Sequence, residues 1–298
     1  MRVGFIGLGH MGLPMARRLA ANDFPLTVWN RTASRAASLT ATGTTLAASP
    51  QALAADCDVV VTMLSDATAT RAVLCGRDGV LSTGRRGAVV VDMSTIGPKV
   101  ARDIAAEAAT HGIDFLDAPV SGSVALAEQG ALTTMVGGPR DVFERARPLL
   151  AALSKVQLYL GPAGAGAAMK LAVNIVIAAT NQSIAEALAL AEASGIDRTA
   201  AYDTLASSAV SSPFIGYKRQ AYLDPDAAPV SFTAGLMGKD LELALEVAGD
   251  LLLPVTSTTR EFLDASCAAG YRDADFACVA EILRREVATH RASAASAH

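Results

Sequence analysis

Three glycines near the start of the chain have the spacing of a phosphate-binding turn. Gly7, Gly9 and Gly12 form the pattern G-x-G-x-x-G, between an apolar strand-like segment and a helical one. In this pattern the first glycine permits a tight turn, the second admits a pyrophosphate, and the third lets the helix pack closely. Phosphate groups are also favoured by the free N–H groups at a helix N-terminus. The context favours dinucleotide binding over an ordinary Gly-rich turn. The residues predicted to contact the dinucleotide are Gly7, Leu8, Gly9, His10, Met11 and Gly12.

The residues after the second predicted strand, Leu26 to Trp29, indicate which dinucleotide binds. An NAD site usually places Asp or Glu there, about 20 residues beyond the glycines. This chain has Asn30, Arg31 and Thr32 instead. A carboxylate would repel a 2′-phosphate, whereas a guanidinium, a hydroxyl and an amide would bind it. The sequence therefore predicts NADP (NADPH); the alternative is that Arg31 is only a solvated surface charge.

Lys170 is a candidate for proton transfer. Lysine occurs at only five positions in the chain, and this one lies on the apolar part of a long helical segment, with Asn174 one turn later. Shielding from water favours release of the lysine proton, and lysine can titrate where arginine cannot. Lys170 could then protonate a carbonyl oxygen as hydride arrives. From the residues alone, a lysine that extends its charge to solvent from the base of a helix is the stronger interpretation.

Composition limits the classes of function. The net charge of −4 and the pI of about 5.6 give no basic surface for nucleic acid. The cysteines and histidines are scattered, which predicts neither a disulfide framework nor a metal site. The most apolar later stretch, Leu171 to Ala179, contains Asn174 and is too short and polar to span a bilayer. We expect a soluble cytoplasmic protein that binds no nucleic acid, membrane or metal.

The first half of the chain supplies the elements that must position these residues. Short apolar strands alternate with helical segments, which predicts a largely parallel sheet covered on both faces. Ligands bind beyond the carboxyl ends of such strands, and polar segments follow several of those ends. The predicted strands are Val3 to Ile6, Leu26 to Trp29, Val59 to Met63, Ala88 to Asp92, Asp114 to Asp117, Thr133 to Val136 and Val156 to Tyr159.

The second half is predicted to be entirely helical. A segment without proline or glycine, Ala167 to Ser194, predicts one helix of about 30 residues as the central rod of a second domain. Further helices are predicted over Thr199 to Ser208, Phe214 to Tyr222, Thr233 to Leu252, Thr256 to Ala269 and Ala274 to Thr289. The fold class is therefore α/β, with a Rossmann-type doubly wound sheet over residues 1–161 and an all-α domain over 162–298. The apolar surface of residues 170–191 predicts a homodimer or a tetramer of dimers.

Six ordered motifs resemble those of the β-hydroxyacid dehydrogenases. They are GLGHMG, NRT, DMSTIGP, DAPVSGS with the following GALTTMVGG, the G-x-x-x-K-L-x-x-N run at Gly166 to Asn174, and KDLELAL. The resemblance extends to about Arg284. It implies an oxidoreductase that transfers hydride between a nicotinamide and a small carboxylate-bearing hydroxyacid or semialdehyde, in subunits that pair through their helical domains.

The resemblance also implies roles for individual residues. Lys170 matches the catalytic acid/base, Asn174 a residue that places the substrate, and Lys239 a lysine that closes over the site. The turn Ser121-Gly122-Ser123 matches one that binds the substrate carboxylate. Substrate contacts are implied for Ser94 and Thr95. Cofactor contacts are implied for Thr95, Met63, Leu64, Ser65 and Lys239. Two departures, Ser123 and Met93, stand where smaller residues are common and are expected to reshape the acid pocket.

Two other functions remain as alternatives. An imine reductase has the same two-domain plan and a similar NRT opening, but such enzymes usually replace the lysine and lack the Ser-Gly pair. A non-catalytic dinucleotide-binding protein is the second alternative. Such relatives lose the lysine, whereas this chain keeps Lys170.

Overall fold

A computed structural model describes residues 1–83, 86–285 and 287, and it divides into two compact units. The first unit is Met1–Leu171 and the second begins at Ala172. The sequence places the division after residue 161. The difference arises because the first turns of the long helix pack within the first unit, where Gly166 lies against the backbone carbonyls of Met135 and Asp117.

A nine-stranded sheet forms the first unit, and it confirms the predicted doubly wound fold. The order is β3-β2-β1-β4-β5-β6-β8-β7, with β9 paired to β8. All pairs are parallel except β6–β8 and β7–β8. The order reverses between β1 and β4, which is where such sheets bind ligands. The strands are β1 Val3–Ile6, β2 Leu26–Trp29, β3 Thr45–Leu46, β4 Val59–Thr62, β5 Val89–Asp92, β6 Asp114–Asp117, β7 Val120–Ser121, β8 Leu132–Gly137 and β9 Ser154–Gly161.

Helices cover both faces of this sheet. Alternate residues of a strand enter different apolar clusters: Val59 and Val61 pack on one face, and Val60 packs on the other. The sequence did not predict β3, β7 or three of the shorter helices, because elements of two to six residues carry little periodicity. The helices are α1 Gly12–Ala20, α2 Ala37–Thr40, α3 Pro50–Ala55, α4 Ala67–Cys75, α5 Pro98–Thr110, α6 Val124–Gln129 and α7 Arg140–Leu153.

The second unit is helical, as predicted. The long helix α8 spans Ala165–Ala193, and it is followed by α9 Arg198–Ser207, α10 Pro213–Leu223, α11 Ala234–Ala248 and α12 Pro254–Ser266. The last predicted helix begins as a 3₁₀ turn, Phe276–Cys278, and continues through 279–285. Its predicted end at Thr289 lies outside the described residues.

A buried ion pair ties the loops of the second unit together. Lys218, only 2% exposed, donates from Nζ to Asp275 Oδ1 at 2.5 Å and to Ser231 Oγ at 2.7 Å. Asp275 also accepts from the backbone N–H groups of Ser231 and Ala277. Burial lowers the pKa of Lys218, and although burial alone would raise the pKa of Asp275, the lysine holds it below its usual value. Lys218 is therefore a structural lysine.

Helix α8 is longer than the apolar stretch recognised in the sequence. With 29 residues and a mean hydropathy of 1.3 in its most apolar window, it is long and apolar enough to cross a membrane by length and composition alone. The length of the stretch Leu171 to Ala179 alone therefore does not decide whether this helix could span a bilayer. Of the same window, 44% is buried inside the protein. The cytoplasmic location stays a prediction.

Candidate dinucleotide-binding and catalytic site

A cleft of about 620 Å³ opens at the carboxyl ends of β1, β2 and β4. It lies where the strand order reverses, and the first unit supplies all of its walls. Trp29, the only tryptophan of the chain, is among the residues that line it. The residues that the sequence assigns to the cofactor and that line this cleft are Gly7, Leu8, Gly9, Asn30, Arg31, Thr32, Met63, Leu64 and Ser65.

The three glycines differ in what a side chain at each position would contact. A Cβ on Gly7, whose φ is +99°, would lie 2.3 Å from the carbonyl oxygen of Met63, and one on Gly12 would lie 1.8 Å from that of Gly7. The fold itself therefore requires these two glycines. A Cβ on Gly9 would meet nothing within 4 Å. The space beside Gly9 is open to a ligand, and α1, whose N-cap is Met11, has no side-chain cap at its N-terminus. This end can bind a phosphate.

Asn30 has a structural role that the sequence did not predict. Its Oδ1 accepts from the N–H of Leu8 at 2.9 Å, and its Nδ2 donates to the carbonyl of Thr32 at 2.9 Å. The carboxamide is thereby engaged at both ends. It joins the glycine turn to the turn that carries Arg31, and its contact with a cofactor stays a prediction.

Arg35 is a cleft residue that the sequence analysis missed. It lies on the 3₁₀ turn Ala33–Ala36 and lines the cleft together with Arg31 and Thr32. The available signal was a second arginine only four residues after Arg31, next to the predicted 2′-phosphate contact. Two guanidinium groups next to a hydroxyl form a cationic corner at the end of β2.

A buried polar network underlies the turn that follows β4. Asp92, the last residue of β5, accepts at Oδ1 from Thr62 Oγ1 and Ser94 Oγ, both at 2.6 Å. Ser94 Oγ in turn accepts from the N–H of Leu64 at 2.9 Å. Burial raises the pKa of Asp92 from 3.8 to about 6, against the lowering effect of these hydrogen bonds. Ser94 is only 1% exposed, and Thr95, which follows it, is half-buried.

Asp117, beside Asp92 in the parallel register, fixes the start of the helix that carries Lys170. Its two carboxylate oxygens accept from the N–H groups of Gly164 and Ala167, each at 2.8 Å. Burial raises the pKa of Asp117, and these N–H donors partly oppose the shift. Lys170 is half-buried on the second turn of α8. The helix that presents the lysine therefore starts from a defined point at the end of β6.

The predicted carboxylate-binding turn joins β7 to α6. Ser121 ends β7, and Gly122 has a φ of +143°, with space for a Cβ blocked by Leu132. Ser123 is the N-cap of α6, where its hydroxyl accepts from the N–H of Leu126 at 3.4 Å. Met93 is 1% exposed within the apolar core, and its effect on an acid pocket stays a prediction.

Two predicted site residues of the second unit share one partner. Asn174 Nδ2 donates to Asp240 Oδ2 at 2.6 Å, and Lys239 Nζ lies 2.9 Å from Asp240 Oδ1. The sequence predicted no role for Asp240, which is fully buried and bonded to both groups. The roles of Asn174 and Lys239 toward a ligand stay predictions. Within the described part of the chain, no group of three or more His, Cys, Asp or Glu residues could hold a metal ion.

Comparisons with known families cover nearly the whole chain. Residues 2–161 match the model of the NAD-binding domain of 6-phosphogluconate dehydrogenase. Residues 164–283 match the model described as the NAD-binding domain of NADP-dependent 3-hydroxyisobutyrate dehydrogenase. The junction between the two matches lies at the start of α8.

Individual relatives agree with these families. The chain is 33% identical to glyoxylate/succinic semialdehyde reductase 2 of Arabidopsis thaliana, over 95% of this chain and 79% of that protein. It is 35% identical to an NAD-dependent L-serine dehydrogenase of Pseudomonas aeruginosa, over 94% and 97%. A crystal structure of 3-hydroxyisobutyrate dehydrogenase from Salmonella typhimurium superimposes with a TM-score of 0.88 at 31% identity, covering 95% of this chain and 99% of that one.

Replacing Asp92 with Asn should change how stability depends on pH. Because the folded state raises this pKa, folding favours the protonated acid, and that contribution is lost as the pH rises through about 6. A rise from 3.8 to about 6 corresponds to roughly 3 kcal/mol at neutral pH. The melting temperature of Asp92→Asn relative to the parent should therefore increase between pH 4 and 7.5. The exposed Asp56→Asn is the control, and a parallel pH profile for Asp92→Asn and the parent would contradict the prediction.

Proposed function

The chain belongs to the β-hydroxyacid dehydrogenase family, and we propose that it is an NADP-dependent enzyme that uses Lys170 as its general acid/base. Its family makes it a nicotinamide-dependent oxidoreductase of hydroxyacids or semialdehydes. The observation that carries the finer proposal is the cationic corner of Arg31, Thr32 and Arg35 in the cleft beside the glycine turn.

The cationic corner supports NADP over NAD. A 2′-phosphate would be bound there by charge-assisted hydrogen bonds from two guanidinium groups. No Asp or Glu stands at the end of β2, where an NAD site usually has one. The similarity to an NAD-dependent relative shows that family membership alone does not decide the cofactor. The choice depends on this corner of this chain.

The proposed chemistry needs one proton and one hydride. The cofactor, when bound, supplies or accepts the hydride. Lys170 donates a proton to the carbonyl oxygen in reduction and takes it back from the hydroxyl in oxidation. Ser121, Gly122 and Ser123 bind the substrate carboxylate, which orients the reacting carbon. The Ser94 hydroxyl is buried and bonded to Asp92 and to the N–H of Leu64. Ser94 is therefore proposed to fix the backbone that carries the neighbouring Thr95.

A substrate panel separates this proposal from its alternatives. NADPH oxidation should be measured with glyoxylate, succinic semialdehyde, tartronate semialdehyde, methylmalonate semialdehyde and a cyclic imine. Turnover of one of the acids, with none of the imine, is expected. The retained Lys170 and the Ser121-Gly122 pair favour this result. Turnover of the imine alone would identify an imine reductase, and dinucleotide binding without any turnover would favour a non-catalytic role.

Arg31→Ala should reduce the preference for NADPH. A charge-assisted contact contributes about 1.5–3 kcal/mol, so the affinity for NADPH should fall roughly ten- to a hundred-fold while that for NADH changes little. The matched control is Arg17→Ala, since Arg17 is exposed on α1 and does not line the cleft. The measurement is kcat/KM with each cofactor. Equal values for the two cofactors in the unmodified enzyme would contradict the proposal.

Lys170→Met should lower kcat strongly and leave the affinity for the cofactor nearly unchanged. Methionine keeps the length of the stem but cannot donate a proton, and loss of a general acid typically lowers kcat about 10²–10⁴-fold. The Kd for NADPH should remain near that of the parent. Lys170→Arg should not restore activity, because arginine does not titrate near neutral pH. Lys155→Met, on the exposed part of β9, is the control. Turnover by Lys170→Met within a few-fold of the parent would assign the proton transfer elsewhere.

We also propose that the chain forms a dimer or a tetramer of dimers. Two large apolar side chains of α8, Val176 and Leu190, are 64% and 71% exposed. Covering such residues favours association. Light scattering at micromolar concentration should report an oligomer, and the double variant Val176→Glu, Leu190→Glu should lower the measured mass. A monomeric parent protein would exclude the assembly.

A further inference from the structure

The turn Met63–Ser65, here called the Leu64 turn, forms part of the cleft wall and lies directly against the glycine turn. The carbonyl oxygen of Met63 leaves no space for a Cβ on Gly7, and the Leu64 side chain lies 3.0 Å from the same position. A displacement of the Leu64 turn would therefore change both its own wall of the cleft and the packing of Gly7. What holds the backbone of this turn bears directly on the shape of the binding site.

Asp92 controls the hydrogen bond that holds the turn. A serine hydroxyl has one proton, and Ser94 donates it to Asp92 Oδ1. Its oxygen lone pairs then face the N–H of Leu64, which donates to it at 2.9 Å. Without an acceptor at position 92, the Ser94 hydroxyl could rotate and donate elsewhere. The carboxylate therefore sets the direction of the bond to Leu64 although it does not itself line the cleft.

Stability alone does not explain a carboxylate at this position. Asp92 is fully buried, and its second oxygen, Oδ2, has no hydrogen-bond partner among the residues that the structure describes. Burial, with a smaller contribution from the neighbouring Asp117, raises its pKa to about 6. Asp92 is in register with Thr62 of β4, and Thr62 is in register with Ile6 of β1. The same row of the sheet therefore has an apolar residue on β1. A buried charge without full pairing costs free energy, and groups that bear such a cost are frequently functional.

We propose that Asp92 is a positioning residue of the dinucleotide site: by orienting the Ser94 hydroxyl it holds the Leu64 turn against Gly7 and so sets the wall on which the dinucleotide binds. The inference rests on the proposed cofactor site. It does not depend on the choice between NADP and NAD, or on the role of Lys170. The predicted effect is on affinity for both dinucleotides.

The single tryptophan gives a direct readout. Trp29 lines the cleft, so quenching of its fluorescence should report binding of NADPH and of NADH. Asp92→Leu removes the acceptor, and Ser94→Ala removes the hydroxyl with a smaller change in volume. Each should raise the Kd of both dinucleotides about ten-fold, which corresponds to one lost hydrogen bond. Asp92→Asn keeps an acceptor at Oδ1 and should recover most of the affinity that Asp92→Leu loses.

Ser154→Ala is the matched control. Its hydroxyl is bonded to Thr134, is buried in the same unit and does not line the cleft. This variant should lower the melting temperature without changing either Kd. Folded Asp92→Leu or Ser94→Ala protein with unchanged affinity would overturn the inference alone, as would Asp92→Asn protein that binds as weakly as Asp92→Leu. An unmodified protein that binds neither dinucleotide would overturn the proposed function and this inference with it.

Discussion

The site depends on backbone contacts that leave no space for a side chain at Gly7 and Gly12. A Cβ at either position would lie within 2.3 Å of a main-chain oxygen. Backbone atoms cannot move aside as a flexible side chain can, so β1, α1 and the Leu64 turn must keep one arrangement. Of the three glycines in the turn, Gly9 alone leaves open space. The arrangement that fixes these three elements therefore leaves the backbone at Gly9 exposed.

Buried polar residues hold the exposed functional ones in place. Thr62, Asp92 and Asp117 occupy one row at the carboxyl ends of β4, β5 and β6. Asp117 accepts directly from a main-chain N–H group. Asp92 accepts from the Ser94 hydroxyl, and that hydroxyl accepts from the N–H of Leu64. In the proposed function, one secures the cofactor turn and the other secures the start of α8. Burial of a carboxylate costs free energy, and at both positions the carboxylate orders a loop or a helix end.

Lys218 and Lys170 show why residue type alone does not identify a catalytic group. Both occur on helices, and both belong to the small set of lysines in this chain. Lys218 has a carboxylate, a hydroxyl and an aromatic ring around its ammonium group, which together account for its burial. Lys170 is half-buried near the start of α8. The proposed role of Lys170 therefore rests on its place in the family motif, and kinetics must test it.

The sequence by itself determined the α/β unit, the helical unit and the phosphate-binding turn, because these follow from local periodicity and from glycine spacing. It also predicted a cationic site at Arg31, since no carboxylate follows β2. Only the tertiary structure decided that Asn30 clamps two turns, that Met93 belongs to the core, and that Asp240 joins Asn174 to Lys239. Asn30 and Leu8 are 22 residues apart, and Asn174 and Asp240 are 66 residues apart. Hydrogen bonds over such separations leave no periodic signal in the sequence, so only the packed chain reveals them.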